Sequence, residues 1–184
     1  MVAATDNQRL IGDLIREGVV VSVDHASGTA RVEIADELTT GDIPWLESRA
    51  GSTRTWSPPA VGEQVVVLAP EADTARCMII GSLSSDAHPH PANDASTLAE
   101  YEDGARIGYD PVSHALTALL PGGATVLIVA DGGLSLKGHL TVDGDINSTG
   151  TITGATDVVG AGKSLKGHVH LGVQPGGGLS GKPQ

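Results

Sequence analysis

The chain has 184 residues, and its 22 Asp and Glu against 11 Lys and Arg give a formal net charge of −11. This acidity argues against a nucleic-acid-binding protein, which needs a basic surface, and against electrostatic attachment to anionic lipid. With no Phe and only 2% aromatic residues, any core must be built from Val, Ile, Leu and Ala. Such a composition is typical of narrow β structures rather than of a broad globular core.

The first residues predict no signal peptide, because Met1 to Asp6 contains no basic region followed by an apolar run. No stretch reaches the ~18 apolar residues of a membrane-spanning helix. We therefore expect synthesis in a cytoplasm. The single cysteine, Cys77, lies in a run that predicts a buried strand, so a packed and unreactive thiol is expected.

Residues 1–18 predict a short N-terminal helix. Between Asp6 and Glu17 apolar side chains recur on one helical face, Asp6 can cap the start, and Gly18 can end the helix. Because the apolar stripe is small, this helix needs a partner surface. The stripe consists of Leu10, Ile11, Leu14 and Ile15.

Residues 19–84 predict an all-β domain, in which β-branched runs alternate with turns such as Asp24–Gly28 and the breaker Pro58–Gly62. About five short strands in roughly 65 residues fit a small closed barrel such as the OB-fold. The predicted strands are Val19–Val23, Thr29–Ile34, Ile43–Leu46, Gln64–Leu68 and Met78–Ile80.

Residues 85–100 predict a linker, because the prolines at positions 89 and 91 cannot lie inside a sheet and the surrounding residues show no periodicity. A β-rich shaft is predicted over residues 101–162. Its first strands are expected at Arg106–Tyr109, His114–Leu119 and Ala124–Ala130.

A glycine recurs every six residues through the last third of the chain, and we call residues 132–162 the hexad repeat. An aliphatic residue follows two positions after each step, and the glycine is missing only at Thr156. So short a repeat cannot build a closed core alone and must stack on itself or on copies of the chain. The glycines are Gly132, Gly138, Gly144, Gly150 and Gly162, and the aliphatic residues are Leu134, Leu140, Ile146, Ile152 and Val158.

Two β-helical architectures use repeats of this kind. A single-chain left-handed β-helix needs three hexads per coil, so about five hexads fall short of the three coils that stability requires. In a trimeric β-helix three chains wind around one axis, the glycines allow tight corners, and the aliphatic residues point to the axis. We therefore predict an intertwined trimeric shaft. The alternative is an ordinary β-meander with coincidental spacing.

The next step of the repeat is His168, followed by Val169 and His170. On an extended strand, residues i and i+2 project to one face, so three chains on one axis would present six imidazoles to one point. Six nitrogens suit an octahedral transition metal, whereas zinc prefers four ligands and calcium or magnesium prefers oxygen. Such a fully ligated metal is structural. The alternative is a pair of exposed histidines, as expected for His88 and His90 in the linker.

Several stretches resemble a known family. The resemblance is carried by Trp45, by the run Trp56–Leu68 and by the ending Gly167–Gly178. The run contains a Pro-Pro-X-Val-Gly-Glu-Gln-Val segment, and the ending has His-X-His before Gly-X-Gln-Pro-Gly. They are similar to the baseplate assembly protein V family, the central spike proteins of contractile-tailed bacteriophages. The resemblance covers nearly the whole chain.

The resemblance implies an all-β fold: a short N-terminal helix, an OB-fold barrel at the tail-tube end, and a homotrimeric β-helical spike ending in an apex over residues 163–184. It implies one octahedral iron ion per trimer, held by His168 and His170 of three subunits through six histidine nitrogens. It also implies a structural protein of the virion tail baseplate that contacts the tail tube and baseplate hub proteins. During sheath contraction this spike would puncture the host envelope, contacting the outer membrane mechanically.

Other functions were open from the residues alone. A hexapeptide-repeat acyltransferase with a histidine base would also trimerise, but the repeat is short and its glycine phase differs from that of those enzymes. A cell-wall hydrolase would need paired carboxylates in a catalytic setting, and none is recognisable. Nucleic-acid binding by an OB-like barrel is opposed by the acidity and by the scarcity of stacking aromatics. We therefore predict no catalytic residues and no bound nucleic acid.

Overall fold

The computed structural model describes residues 11–35, 38–169, 172 and 176. The chain divides into two units, Met1–Val126 and Leu127–Gln184. The described residues are almost entirely strands and loops, and none of their helices is long and apolar enough to cross a membrane. The strands are β1 (Ile15–Asp24), β2 (Thr29–Ala35), β3 (Leu38–Thr39), β4 (Gln64–Leu68), β5 (Met78–Leu83), β6 (Thr97–Glu100), β7 (Arg106–Asp110), β8 (Ala115–Leu119), β9 (Val159–Gly160) and β10 (Lys163–Ser164).

The first five strands form one antiparallel sheet in the order β3-β2-β1-β4-β5. The long central strand β1 pairs with β4 through its first half and with β2 through its second half. A register shift between Val20 and Ser22 marks a β-bulge, which bends the strand and increases its twist. β1 can therefore pair with strands in both halves of a curled sheet.

A short segment joins the two sides of this sheet. Ile43 exchanges two backbone hydrogen bonds of 2.9 Å with Ala30 of β2. On the other side of the sheet, Ile79 of β5 donates to the carbonyl of Pro44 at 2.9 Å and accepts from the amide of Leu46 at 2.8 Å. The predicted strand Ile43–Leu46 is therefore present as bridges rather than a full strand, and it closes a small barrel by pairing with both sides.

The barrel core is aliphatic, as the composition predicts. Thr40 is its one buried polar side chain among the described residues, and its hydroxyl accepts from the amide of Val32 at 3.0 Å and donates to the carbonyl of Gly41 at 2.9 Å. Cys77 is buried and burial raises the pKa of its thiol, which confirms the predicted packed cysteine. The buried hydrophobic side chains are Val20, Ala30, Val32, Ile43, Val65, Val67, Ala69, Cys77 and Ile79.

The predicted helix is wrong at its carboxyl end. Ile11 and Gly12 are helical, but Ile15 to Glu17 belong to β1, where they pair with residues 66–68 of β4. Backbone pairing across the barrel outweighs the helical spacing of a few aliphatic residues. Residues 1–10 of the predicted helix lie outside the described residues.

Gly18 does not end a helix. It lies in β1, and a Cβ atom there would be 2.5 Å from Val32 Cγ1 and 2.6 Å from the carbonyl oxygen of Glu33. The glycine is required because β1 and β2 approach each other closely at this point.

We predict that Gly18→Ala destabilises the barrel by about 1–3 kcal/mol through this overlap. The measurement is the midpoint of denaturant unfolding, compared with that of Gly81→Ala in β5. Gly81 is the matched control, because a Cβ atom there would meet nothing within 4 Å. Equal midpoints for the two variants would show that the contact with β2 is not tight.

The predicted linker ends too late. Its last four residues form β6, which pairs with β7 from Thr97 opposite Tyr109 to Glu100 opposite Arg106. The sheet order is β6-β7-β8, and all three strands belong to the first unit, so the predicted start of the shaft at residue 101 falls inside this sheet. The predicted strands at 106–109 and 114–119 are confirmed within one residue at each end. Residues 124–130, predicted as a strand, form none with the described residues of this chain.

Two tryptophans are held together beside the barrel. The rings of Trp45 and Trp56 meet edge to face, with centroids 5.2 Å apart. The Glu47 carboxylate organises this loop by accepting from the Thr55 hydroxyl at 2.7 Å, the Ser57 amide at 2.8 Å and the Trp45 indole at 2.8 Å. The Thr55 hydroxyl above all, then the Ser57 amide and the Trp45 indole, hold the pKa of Glu47 below that of an ordinary glutamate.

A depressed carboxyl pKa stabilises this loop above the ordinary glutamate pKa, and the stabilisation is lost as the pH falls through the folded-state value. We therefore expect tryptophan fluorescence to change in acid, below the usual glutamate range. Glu47→Gln should remove this change, whereas Glu102→Gln, a change to an exposed glutamate outside the loop, should keep it. An identical acid titration of the wild type and Glu47→Gln would contradict the assignment.

Candidate metal centre

A tight hairpin precedes the predicted metal ligands. Strands β9 and β10 pair from Gly160 opposite Lys163 to Val159 opposite Ser164. The two connecting residues, Ala161 and Gly162, have φ of 47° and 76°, as in the mirror-image turns that match the twist of a hairpin. Gly162 therefore lies in a hairpin turn rather than at a corner of the hexad repeat. The predicted boundary between shaft and apex at 162/163 divides this hairpin.

One carboxylate ties the two sides of the hairpin together. Asp157 Oδ1 accepts from the amide of Val158 at 2.8 Å and from the amide of Lys166 at 3.2 Å. The Ser164 side chain and these two amides hold the pKa of Asp157 below that of an ordinary aspartate. The Ser164 Oγ atom also accepts from the amide of Gly167 at 2.7 Å. Asp157 and Ser164 therefore define the path of the chain into His168.

His168 follows directly on this turn. Its amide donates to the carbonyl of Ser164 at 3.1 Å, and its Nδ1 atom lies 3.1 Å from the carbonyl oxygens of both Ser164 and Leu165. A carbonyl oxygen only accepts, so this geometry assigns the ring proton to Nδ1. The lone pair is then on Nε2, and a histidine with its other nitrogen bound to a backbone carbonyl is typical of metal ligands.

The described residues of one chain do not complete a metal site. No three His, Cys, Asp or Glu side chains converge in the part of the chain that the structure describes. His170, the second predicted ligand, lies outside those residues. His168 suits a transition metal by the chemistry of its imidazole and by its tautomer. A metal bound to His168 would need further ligands, which the described residues of one chain do not supply.

The other histidines belong to turns and surfaces. His88 and His90 are both exposed, as predicted, and His90 Nδ1 lies 2.9 Å from the Ser84 hydroxyl. His114, predicted as the start of a strand, instead has φ of 55° in the turn before β8. His25 and His139 are exposed.

The hexad repeat is extended and uncovered. From Leu134 to Asp157 the described residues form no backbone–backbone hydrogen bond with one another or with the rest of the described chain. The repeat's aliphatic residues Leu134, Leu140, Ile146 and Ile152 are 65–69% exposed. Gly138 and Gly144, one repeat apart, have φ of 139° and 138°, a conformation open to glycine alone. The backbone conformation therefore repeats over this one step but not at Gly132 or Gly150, where φ is not positive, and the described residues give it no backbone partner.

Sequence reasoning missed the supporting residues Asp157 and Ser164. A local signal was present, because a serine three residues before Gly167 and four before His168 is typical of a side chain that accepts from a nearby backbone amide. No sequence signal connected Asp157 with Lys166, since their bond depends on the hairpin.

Comparison with known proteins finds two family models in this chain. Residues 16–83 match the type VI secretion system/phage-baseplate injector OB domain, and residues 164–184 match the GpV apex motif. The first range covers the five-stranded barrel except for Ile15, the first residue of β1, and the second begins at Ser164 and includes both predicted ligands.

A curated relative is similar to more of the chain. The spike protein of Escherichia phage P2 is 34% identical over 128 residues, which are 69% of this chain and 59% of the relative. The chain therefore spans less than two thirds of that protein's length.

Proposed function

Because the chain belongs to the baseplate assembly protein V family, we propose that it forms the central spike of a contractile-tail baseplate as a homotrimer. Its role is structural: it pierces the host envelope, including an outer membrane, when the sheath contracts. The barrel would contact the tail tube and baseplate hub proteins, and the apex would lead.

The observation that supports this proposal is the uncovered hexad repeat. Backbone N–H and C=O groups need partners, and a row of exposed aliphatic side chains needs a covering surface. Residues 134–157 form no backbone–backbone hydrogen bond with the described part of their own chain, and only the N–H and C=O of Gly150 meet a side chain there, the Ser148 hydroxyl. The aliphatic side chains of the repeat stay exposed. Three copies wound around one axis would pair these backbones with one another and bury each aliphatic step. Such a shaft exposes no strand edges along its length, which suits a part that must resist unravelling under load.

At the apex, His168 and His170 of three chains would hold one iron ion through six nitrogens. Six-fold ligation by imidazole suits a transition metal, and the choice of iron follows the family. The metal supplies a cross-link between the chains where the mechanical load is highest, and its binding adds to the free energy of folding. With all positions taken by histidine, the site would be structural and the protein would catalyse no reaction.

The charge of the chain indicates how entry is driven. Each chain has a net charge of −11, so an assembled spike would be repelled by an anionic bacterial surface. Penetration would therefore depend on the force of sheath contraction rather than on affinity for the membrane.

The acyltransferase alternative is less well supported. Those enzymes stack consecutive hexads of one chain into coils, whereas residues 134–157 here form no backbone hydrogen bonds with one another. No observation in the described residues favours it.

The experiment that tests the proposal is elemental analysis of the purified protein together with its mass in solution. We expect one iron atom per three chains, in a particle of three times 18.6 kDa. A metal-free monomer would contradict both the trimer and the apex site. Antibodies against this chain should label the distal end of purified tails in electron micrographs, and labelling elsewhere would contradict the spike role.

We predict that His168→Ala combined with His170→Ala abolishes metal binding and leaves the trimer intact, because burial along the shaft holds the chains together. Elemental analysis and sedimentation measure the two effects. His88→Ala combined with His90→Ala is the matched control, since it removes the other His-X-His pair, and it should retain the metal. Monomers of the apex variant would show that the metal, and not the shaft, maintains the trimer.

We also predict that Ile146→Ala destabilises the trimer by about 2–5 kcal/mol per chain, as expected for a buried isoleucine. In an isolated chain this side chain is 69% exposed, and a surface substitution should change stability by no more than about 0.5 kcal/mol. Thermal unfolding, monitored by the loss of the trimer, distinguishes the two cases. Asn147→Ala, one residue along and pointing to the other face, is the control and should have little effect.

A further inference from the structure

Two polar side chains beside the apex have no role in the proposed function. We propose that Ser164 and Asp157 are positioning residues that hold His168 with its Nε2 atom ready to bind the apex metal. This inference rests on the proposed metal-bound trimer, and it adds which residues orient the ligand.

Backbone carbonyls surround one side of the His168 imidazole. The Nδ1 atom of His168 lies 3.1 Å from two carbonyl oxygens, those of Ser164 and Leu165. Two acceptors on one side of the ring keep the proton on Nδ1 and limit rotation of the ring. The metal-binding lone pair is then on Nε2.

Hydrogen bonds of Ser164 hold the turn that carries these carbonyls. The Ser164 Oγ atom accepts from the amide of Gly167 at 2.7 Å, and the Ser164 carbonyl accepts from the amide of His168 at 3.1 Å. Gly167 is suited to this close approach, because a Cβ atom there would lie 3.3 Å from Ser164 Oγ. One serine therefore closes the turn through both its side chain and its backbone.

Asp157 links this turn to the chain that precedes the hairpin. A hydroxyl can donate one hydrogen bond while accepting others, so Ser164 can bind the Gly167 amide and the Asp157 carboxylate at once. Asp157 also binds the amide of Lys166 at 3.2 Å, inside the turn. The carboxylate thereby fixes the turn against the hairpin from two points.

A histidine oriented in advance has less freedom to lose when the metal binds. Loss of such an outer partner typically costs about ten- to a hundred-fold in metal affinity. The symmetry of a trimer would repeat any misorientation at three subunits.

The test uses the full-length protein and compares the rate at which a chelator removes the metal from the trimer. Ser164→Ala should release it about ten- to a hundred-fold faster than the wild type, with an unchanged trimer mass. Ser164→Thr keeps the hydroxyl and should restore slow release. Ser135→Ala, an exposed serine of the hexad repeat with no hydrogen bond among the described residues, should match the wild type.

Asp157→Ala provides a second variant in case Ser164→Ala does not assemble, and it should also release the metal faster. Asp145→Ala, an exposed aspartate of the repeat, is its control. Wild-type release rates in both Ser164→Ala and Asp157→Ala would overturn the inference, as would equally fast release from Ser164→Thr and Ser164→Ala. A metal-free wild-type protein would instead overturn the proposed apex site, and the inference with it, before any variant is compared.

Discussion

The need to pair every extended backbone segment governs both units of this protein. In the barrel the requirement is met within one chain, because Ile43 pairs with β2 while Pro44 and Leu46 pair with β5. The aliphatic core then lies inside a closed sheet. In the hexad repeat the same requirement is not met by the described residues of one chain. The chain belongs to a family of spike proteins, and we propose that assembly with further copies of the chain supplies the missing backbone partners.

The barrel strands could be predicted because their signals are local. Alternation in Gln64–Leu68 and Thr29–Ile34 predicts one inward and one outward face, and the structure buries Val65, Val67 and Val32 accordingly. The errors occur where distant pairing decides the outcome. Ile15 to Glu17 have helical spacing but pair with β4, and β6 follows a proline-rich stretch but pairs with β7. Neither partner is visible in the local sequence.

At the candidate site, too, local features could be predicted from the sequence, whereas features that depend on the folded turn could not. The His-X-His pair could be found from spacing alone, whereas the tautomer of His168 depends on two carbonyls that converge only after the turn has formed. Gly162 follows the six-residue period, yet it lies in a hairpin turn beside Ala161, whose φ is also positive. The six-residue period of the sequence therefore continues to Gly162, although the backbone there already forms a hairpin turn. Asp157 acts across that hairpin, which no linear pattern contains.

These features assign separate tasks to neighbouring parts of the chain. Aliphatic steps repeated along residues 134–158 would supply association through burial, which is non-directional and spread over many contacts. A metal at the end would supply a directional bond that tolerates little misplacement of its ligands. Such a bond needs a rigid support, and a short hairpin braced by Asp157 and Ser164 is a stiffer support than an extended strand ending in glycine-rich sequence. In the proposed spike, the change from hexad repeat to hairpin just before His168 would therefore separate the part that associates by burial from the part that must hold a metal ligand in a fixed position.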